Sequence, residues 1–160
     1  MAVFNPECEN DKHQRVFPGV ISIMKLVAIS DTHGEHRRLH PGQGDILVHA
    51  GDITLPGDKD TVVDFLHWFA RQQFTHKVFV AGNHDHCLEQ ATTRPILESL
   101  AQELGVVYLC DSGVEIGNLK FWGSPVTPTF MDWAFMRDSG EPLERHWACL
   151  LYTSPSPRDS

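Results

Sequence analysis

Three apolar runs in this chain each stop abruptly at a short polar group that carries carboxylate, imidazole or amide side chains. The runs are residues 25–30, 45–50 and 77–81, and the groups that follow them are Asp31-Thr32-His33, Gly51-Asp52 and Gly82-Asn83-His84-Asp85. Nearly continuous apolar runs of this length predict strands covered on both faces of a parallel sheet. Parallel neighbours end at the same edge, where open α/β sheets place their ligand sites. The alternative is ordinary turn chemistry, since Gly, Asn and Asp are turn residues, but three matching groups favour one shared site.

The segments between these runs have helical signals, which is the order expected for a parallel sheet with covering helices. Asp60 or Thr61 is predicted to cap a helix that runs to about Gln73, and Thr92 or Thr93 to cap a second helix. Residues 106–109 form the next predicted strand, and Gly117-Asn118 predicts a tight hairpin. A Pro-rich and aromatic stretch, residues 123–135, is predicted to be a surface loop over a site or an irregular connection. Residues 141–149 are predicted to form a short helix.

The two ends of the chain differ in composition from the part between them. Residues 1–23 show no clear period and are interpreted as a leader or extension, with Met24 as the expected natural start. Residues 24–149 are predicted to form a partial catalytic-type domain. Residues 150–160 are rich in Ser and Pro, and are predicted to be a disordered, non-native tail.

Composition and charge exclude several classes of partner. The formal net charge is −8, which argues against a protein that binds the nucleic-acid backbone, so no specific duplex binding is expected. Four cysteines without a C-x-x-C pair indicate reduced thiols and a cytoplasmic protein. No apolar stretch has the length of a membrane span, and the acidic amino terminus does not fit a signal peptide, so no membrane partner is expected. The sequence does not indicate an oligomeric state.

The residue types at the three strand ends predict a pair of divalent metal ions. Carboxylate and imidazole ligands suit Mn, Fe or Zn. Asp31 and His33 are two positions apart on an extended segment, so both can face one ion. Asp52 can bridge two ions through its two oxygens, and Asn83 can serve the second. Two such ions, about 4 Å apart, hold a nucleophile and a phosphoryl oxygen together, and His84 would donate a proton near the leaving group.

These motifs, in this order, resemble those of the calcineurin-like metallophosphoesterase superfamily. The stretches that carry the resemblance are Ile29-Ser30-Asp31-Thr32-His33-Gly34, His49-Ala50-Gly51-Asp52, Ala81-Gly82-Asn83-His84 and Gly123-Ser124-Pro125. They are most similar to the small branch of metallophosphoesterase-domain proteins, over residues 24–147. The resemblance implies an α/β/β/α sandwich and hydrolysis of phosphomono- or phosphodiesters of small molecules at a dinuclear site. It implies the same roles for the five residues: Asp31 and His33 on the first metal, Asp52 bridging, Asn83 on the second, His84 as the acid.

The chain departs from the family pattern at two places. Many relatives carry an acidic residue three positions after the bridging aspartate, where this chain has Leu55, so we expect His84 to be less well oriented unless Asp85 substitutes. The family pattern also continues with a strand that ends in a histidine and then a G-H-x-H motif, and this chain has neither. We therefore expect an incomplete sandwich, cut short at the carboxyl end, that binds its metals incompletely.

The remaining histidines are not predicted to be metal ligands. His49 lies within a strand and is expected either to support the site from behind the ligands or to be a hydrogen-bonded core histidine. His146 and five others are expected to be surface or interface residues, and these five are His36, His40, His67, His76 and His86.

Two further readings of the chain stay open beside that of an inactive or weakly active phosphoesterase. The first is a non-catalytic metal-binding or pseudoenzyme module. The second is a mononuclear metal protein with an unrelated function.

Overall fold

A computed structural model gives the structure of the protein and describes residues 2–5 and 23–152 of the 160-residue chain. Side-chain surroundings are described for residues 23–148. The strands are β1 (Ala2–Asn5), β2 (Leu26–Ile29), β3 (Gln43–His49), β4 (Gln73–Val80), β5 (Val107–Leu109), β6 (Ser112–Ile116), β7 (Leu119–Gly123), β8 (Thr127–Pro128) and β9 (Met136–Arg137). The helices are α1 (Lys59–Ala70), α2 (His86–Glu89), α3 (Arg94–Glu103) and α4 (Glu141–Tyr152), with a 3-10 turn at His36–Arg38.

The four strands β2, β3, β4 and β5 form a parallel sheet in sequence order. This confirms the parallel sheet predicted from the apolar runs. The prediction that the first strand is covered on both faces is wrong, because β2 is an edge strand and its residues alternate between exposed and half-buried. Leu26 remains 37% exposed. The polar groups that follow β2, β3 and β4 nevertheless reach the same edge of the sheet.

A second, antiparallel sheet has the strand order β1-β7-β6. The predicted hairpin joins β6 to β7, and Gly117 at its turn has a φ of 62°, which glycine adopts without strain. Gly123 at the end of β7 lies against the parallel sheet, since a Cβ added there would be 2.5 Å from the Cβ of Leu109. Strand β1, which pairs with β7, lies within the segment where the sequence predicted no element.

The side chains of the parallel sheet alternate between two cores. Leu47 and Phe79 pack with apolar residues of α1 and α3, among them Phe65 and Leu97. On the other face Ile46, Val48 and Val78 pack against the hairpin residues Ile116, Leu119 and Phe121. The resulting order of helices, parallel sheet and antiparallel sheet matches the α/β/β part of the sandwich predicted for this chain.

Several predicted helix boundaries need correction. Helix α1 begins after Asp58, whose carboxylate accepts the backbone N–H of Thr61, so the cap is neither Asp60 nor Thr61, and the helix ends at Ala70. Asp58 is the better cap because its side chain satisfies a first-turn donor. Helix α2 was not predicted, because four residues are too few to show a period. Helix α4 continues to Tyr152, so 150–152 are helical rather than disordered, and 153–160 lie outside the described residues.

Candidate metal centre

Backbone hydrogen bonds join the loop that follows β2 to the loop that follows β3. The N–H of Asp31 donates to the carbonyl of Gly51 at 3.0 Å, and the N–H of His33 donates to the carbonyl of Asp52 at 3.1 Å. A third bond, 2.7 Å long, runs from Gly34 to Ile53. These contacts continue the parallel pairing past the ends of the strands, and they hold the first two polar groups side by side.

Three of the predicted metal ligands have left-handed backbone conformations. The φ values are 55° for Asp31, 44° for His33 and 57° for Asp52, and Gly51 beside them has 108°. Residues with a Cβ adopt this region at a cost of about 1 kcal/mol or more each. Such strain persists only where surrounding contacts fix it, and it is common at binding sites. Here it accompanies the tight turns that bring the three side chains together.

The side chains of Asp31, His33 and Asp52 form a compact group of metal-type ligands. Their ligand atoms all lie within 4.8 Å of one another. Nδ1 of His33 lies 2.9 Å from the carbonyl oxygen of Thr54. A carbonyl only accepts, so Nδ1 carries the proton and Nε2 keeps a free lone pair, which is the usual arrangement of a metal-binding histidine.

The loop after β4 lies against the same group through a contact between two glycines. A Cβ on Gly82 would be 2.1 Å from Oδ1 of Asp52, and one on Gly51 would be 2.9 Å from the Cα of Gly82. Only glycine allows the two loops to approach this closely. Asn83 follows directly, and it lines a cavity of about 620 Å³ together with Asp31 and Asp52.

His84, the predicted acid, lies beside these ligands with its ring held from behind. Its Nδ1 is 3.1 Å from the carbonyl oxygen of Leu55, and its backbone N–H donates to Oδ1 of Asp52 at 3.1 Å. The ring centroid lies 5.0 Å from that of His33 in an edge-to-face arrangement. The acidic side chain that many relatives carry at this position is replaced as a partner of the ring by the backbone carbonyl of Leu55, and the expectation that His84 is less well oriented than in relatives stays a prediction.

Asp85, the alternative partner considered for the ring of His84, bonds to other groups. Its carboxylate is fully buried and accepts the backbone N–H groups of Gly82 at 2.8 Å, Thr54 at 2.8 Å and Ile53 at 3.2 Å. Burial raises the pKa of this carboxyl, and the three hydrogen bonds act in the opposite direction. Asp85 thus connects the loop after β3 to the loop after β4.

His49 is a hydrogen-bonded core histidine, which is one of its two predicted interpretations. It is fully buried, its Nε2 lies 3.0 Å from Oγ1 of Thr32, and its Nδ1 accepts the N–H of Gly51 at 3.3 Å. Burial lowers its pKa to about 3, so the ring is neutral and Nε2–H donates to Thr32. Thr32 and Gly51 each precede a predicted ligand, so this core histidine supports both loops.

Two of the histidines that were predicted to be surface or interface residues lie in contacts between elements of the fold. His36 is 1% exposed and its Nε2 lies 3.1 Å from Asp64 of α1. His146 of α4 has a side chain that is 17% exposed, and its Nε2 lies 2.9 Å from Oδ1 of Asp111. Both therefore connect elements of the fold.

Sequence analysis missed the role of Thr54, which is fully buried. Its carbonyl accepts from His33, its N–H donates to Asp85, and its hydroxyl donates to the carbonyl of His84 at 3.0 Å. The hydroxyl also accepts the N–H of Gly57 at 2.9 Å. Its only signal in the sequence is its position two residues after Asp52, and such a signal does not show which backbone groups it will meet.

The donor set fits divalent metal ions of the Mn, Fe or Zn type. Two carboxylates and one imidazole converge at a sheet edge, and the imidazole has its lone pair free. Asn83 adds an amide on the side where the cavity lies. These residues are the ones that would hold the ions.

The chain belongs to the calcineurin-like phosphoesterase family, because the model of that family matches residues 24–144. The match spans all three strand-end groups and the hairpin. Among the residues that the structure describes, no helix is both long enough and apolar enough to cross a bilayer.

Curated relatives resemble the chain over most of its length. A UPF0046 protein of Caenorhabditis elegans is 34% identical over 137 residues, which is 79% of this chain and 47% of that protein. The human metallophosphoesterase domain-containing protein 1 is 29% identical over 142 residues, 77% of this chain and 44% of that protein. The chain thus spans about half the length of these relatives. A crystal structure of a Mycobacterium tuberculosis phosphopantetheinyl hydrolase is 22% identical, with a TM-score of 0.44, over 84% of this chain and 56% of that one.

Proposed function

We propose that this chain contributes the amino-terminal part of a dinuclear metal site that hydrolyses phosphomono- or phosphodiesters of small molecules. The observation that carries the proposal is the convergence of Asp31, His33 and Asp52, whose ligand atoms lie within 4.8 Å of one another. Family membership supports the same chemistry. We assign Asp31 and His33 to the first ion, Asp52 to both ions and Asn83 to the second.

The protein residues would position the phosphoryl group and handle one proton. When bound, divalent cations supply Lewis-acid activation of the phosphoryl group and of the attacking water. Because Nδ1 of His84 donates to the Leu55 carbonyl, Nε2 faces away from it and can exchange a proton with the leaving oxygen. Asp85 and His49 hold the loops from behind, so the ligands keep their positions as charge changes at the site.

The purified 160-residue chain is proposed to be weakly active or inactive. It spans 47% and 44% of two relatives, and it lacks the later histidines that the family resemblance implies. We therefore expect fewer than two metal ions per molecule and weak or no turnover. The substrate is proposed to be a small phosphoester, without nucleic-acid duplex or membrane partners, and the cytoplasmic location stays a prediction.

Metal analysis combined with an assay tests this function. The purified chain is dialysed against Zn²⁺ or Mn²⁺, its metal content is measured by mass spectrometry, and hydrolysis of p-nitrophenyl phosphate and bis(p-nitrophenyl) phosphate is followed with Mn²⁺. We expect bound metal that Asp52→Asn largely removes. Turnover that survives Asp52→Asn, or equal metal content in both proteins, would contradict the proposed site.

A non-catalytic metal-binding module is the second candidate, favoured by the one group of three candidate ligands that Asp31, His33 and Asp52 form in the described part of the chain. In that case the chain would bind metal in an Asp52-dependent way but would not hydrolyse either substrate. Adding the carboxyl half found in longer family members would then leave hydrolysis absent, whereas the phosphoesterase proposal expects it to appear.

A further inference from the structure

The loop formed by residues 129–135, here called the aromatic loop, is fastened to the candidate metal centre at its carboxyl end. The N–H of Ala134 donates to the carbonyl of Asn83 at 2.9 Å, and the N–H of Phe135 donates to Oε1 of Glu89 at 2.8 Å. Ala134 and Phe135 are both buried. The aromatic loop is therefore hydrogen-bonded directly to Asn83, a predicted metal ligand, and is not an independent surface feature.

Four rings make consecutive contacts from the predicted metal ligand His33 to the surface of the aromatic loop. The centroids of His33 and His84 are 5.0 Å apart, and those of His84 and Trp133 are 5.5 Å apart at an interplanar angle of 37°. The ring of Phe130 then meets Trp133 edge to face, with centroids 5.2 Å apart. An aromatic surface thus begins at the predicted acid and continues away from the metal ligands.

The outer part of this surface is exposed in a way that core packing does not explain. Phe130 is 60% exposed and Met131 is 73% exposed. Met131 also has a left-handed φ of 56°, a conformation that an unbranched apolar side chain rarely adopts. Apolar side chains that are exposed together beside a polar site are typical of ligand-binding surfaces.

We propose that Trp133 and Phe130 bind the leaving group of the substrate, and that this group carries a flat aromatic ring. The inference rests on the proposed function, because it uses His84 as the proton donor to the leaving oxygen. His33 contacts the ring of His84 as a predicted metal ligand, so the other ring in contact with His84, that of Trp133, is the one available to the group attached to the leaving oxygen. Aromatic faces bind planar π systems through offset or edge-to-face contacts.

The chemistry that Trp133 recognises is a planar π face, which a simple aryl group and a nucleobase share. Stacking on an aromatic side chain tolerates different rings, because every such ring offers the same kind of face. Both sources of this chemistry are therefore included in the test. A substrate whose leaving group is a short alkyl alcohol would lack the contact altogether.

Binding of non-hydrolysable phosphonates tests the inference without depending on turnover. Phenylphosphonate, methylphosphonate and a nucleoside phosphonate are titrated by calorimetry into the Zn²⁺-loaded chain. We expect phenylphosphonate to bind at least about fivefold more tightly than methylphosphonate, as stacking on an aromatic side chain would produce. Trp133→Ala should bring this ratio close to one without changing the affinity for methylphosphonate, and Phe130→Ala should reduce it in part. The nucleoside phosphonate shows which of the two ring types is preferred.

Controls separate contact with the ligand from a structural effect. Trp133→Leu keeps an apolar side chain without a π face, so it should reduce the ratio even if Trp133→Ala folds poorly. Ile96→Ala removes an apolar side chain of α3 that is 57% exposed, and it should leave the ratio unchanged.

Other results would overturn the inference, each in a recognisable way. An unchanged ratio in Trp133→Leu would show that Trp133 does not touch the ligand, and an equal loss of affinity for both phosphonates would show that it only positions His84. In both cases binding of methylphosphonate would leave the proposed function standing. If no phosphonate binds in a Zn²⁺-dependent way, the proposed function fails and the inference fails with it.

Discussion

The Nδ1 atom of His84 lies 3.1 Å from the backbone carbonyl oxygen of Leu55, and this contact fixes the tautomer of the candidate acid. A carbonyl can only accept, so Nδ1 carries a proton, and Nε2 is the nitrogen from which His84 would give a proton to the leaving oxygen. Any residue that keeps the backbone conformation at position 55 supplies the same carbonyl, and the side chain of Leu55 is 60% exposed. The main chain thus supplies a hydrogen-bond acceptor for the ring, without the charge of the carboxylate that the family resemblance implies at this position.

Leu55→Ala should therefore leave the state of His84 unchanged. The ¹⁵N chemical shifts of the ring, measured by NMR at neutral pH, should show the same Nδ1–H tautomer in the variant and in the natural sequence. Leu55→Pro provides the contrast, because a fixed φ in this loop should displace the carbonyl. A change of tautomer in Leu55→Ala would show that the side chain, and not the carbonyl, holds the ring.

Asp52→Asn should weaken metal binding more than any other single substitution in the group. Asp52 is the ligand assigned to both ions, so loss of its charge affects both. We expect the affinity for Zn²⁺, measured by calorimetry, to fall by at least about tenfold, which is the smallest effect usual at such sites. Asp60→Asn is the matched control because Asp60 is an exposed carboxylate on α1, and it should bind Zn²⁺ like the natural sequence.

Gly82→Ala should destabilise the fold through its contact with Asp52. The added Cβ would be 2.1 Å from Oδ1 of Asp52 and 2.3 Å from its backbone nitrogen, so the two loops must separate. We expect the free energy of unfolding, from urea denaturation, to fall by about 2–3 kcal/mol, as overpacking usually causes. Gly42→Ala meets no atom within 4 Å but has a left-handed φ of 80°, which Gly82 does not have, so it measures the cost of backbone strain without a clash and should lose less. An equal loss in both variants would contradict the close approach.

Stability should fall as the pH is lowered below 6.5, because of His49. Burial lowers the folded-state pKa of this histidine to about 3, compared with its ordinary value of 6.5. Between these values the unfolded chain binds a proton that the folded chain does not, so the contribution of His49 is complete above pH 6.5 and is lost as the pH falls towards 3. The slope should approach about 1.4 kcal/mol per pH unit.

Urea denaturation at several pH values between 7 and 4 measures this slope. His49→Gln should make this slope smaller. A part of the slope should remain, because the pKa of His36 is also lowered by burial and its contribution has the same sign. His67→Gln changes an exposed histidine of α1 and should leave the slope as it is. A slope that is unchanged in His49→Gln would show that His49 is not the group responsible.

Apolar runs predicted the parallel sheet and the positions of the candidate ligands, because buried parallel strands leave a continuous apolar signal. Strand β4 begins at Gln73, earlier than predicted, since Thr75 and His76 are exposed and interrupt the pattern. The apolar signal of β2 predicts a strand covered on both faces, although β2 is an edge strand.

The site was predictable at the level of side-chain type and strand end, but the groups that hold it were not. Leu55 acts through its carbonyl and Thr54 through all of its polar groups, and backbone atoms leave no signature in a sequence. Asp85 was considered for its nearness to His84 along the chain, whereas its partners Ile53 and Thr54 are about thirty positions away. Contacts of this kind depend on the fold as a whole.

The left-handed conformations of Asp31, His33 and Asp52 strain the backbone at positions whose side chains are candidate metal ligands. Glycine would relieve the backbone at each of these positions, and at the same time it would remove a candidate ligand. A laboratory selection for heat resistance that ignores metal binding would therefore be expected to accumulate glycine at these positions before most others. Variants of this chain that gain thermal stability in such a selection would be the first to lose the ability to bind metal.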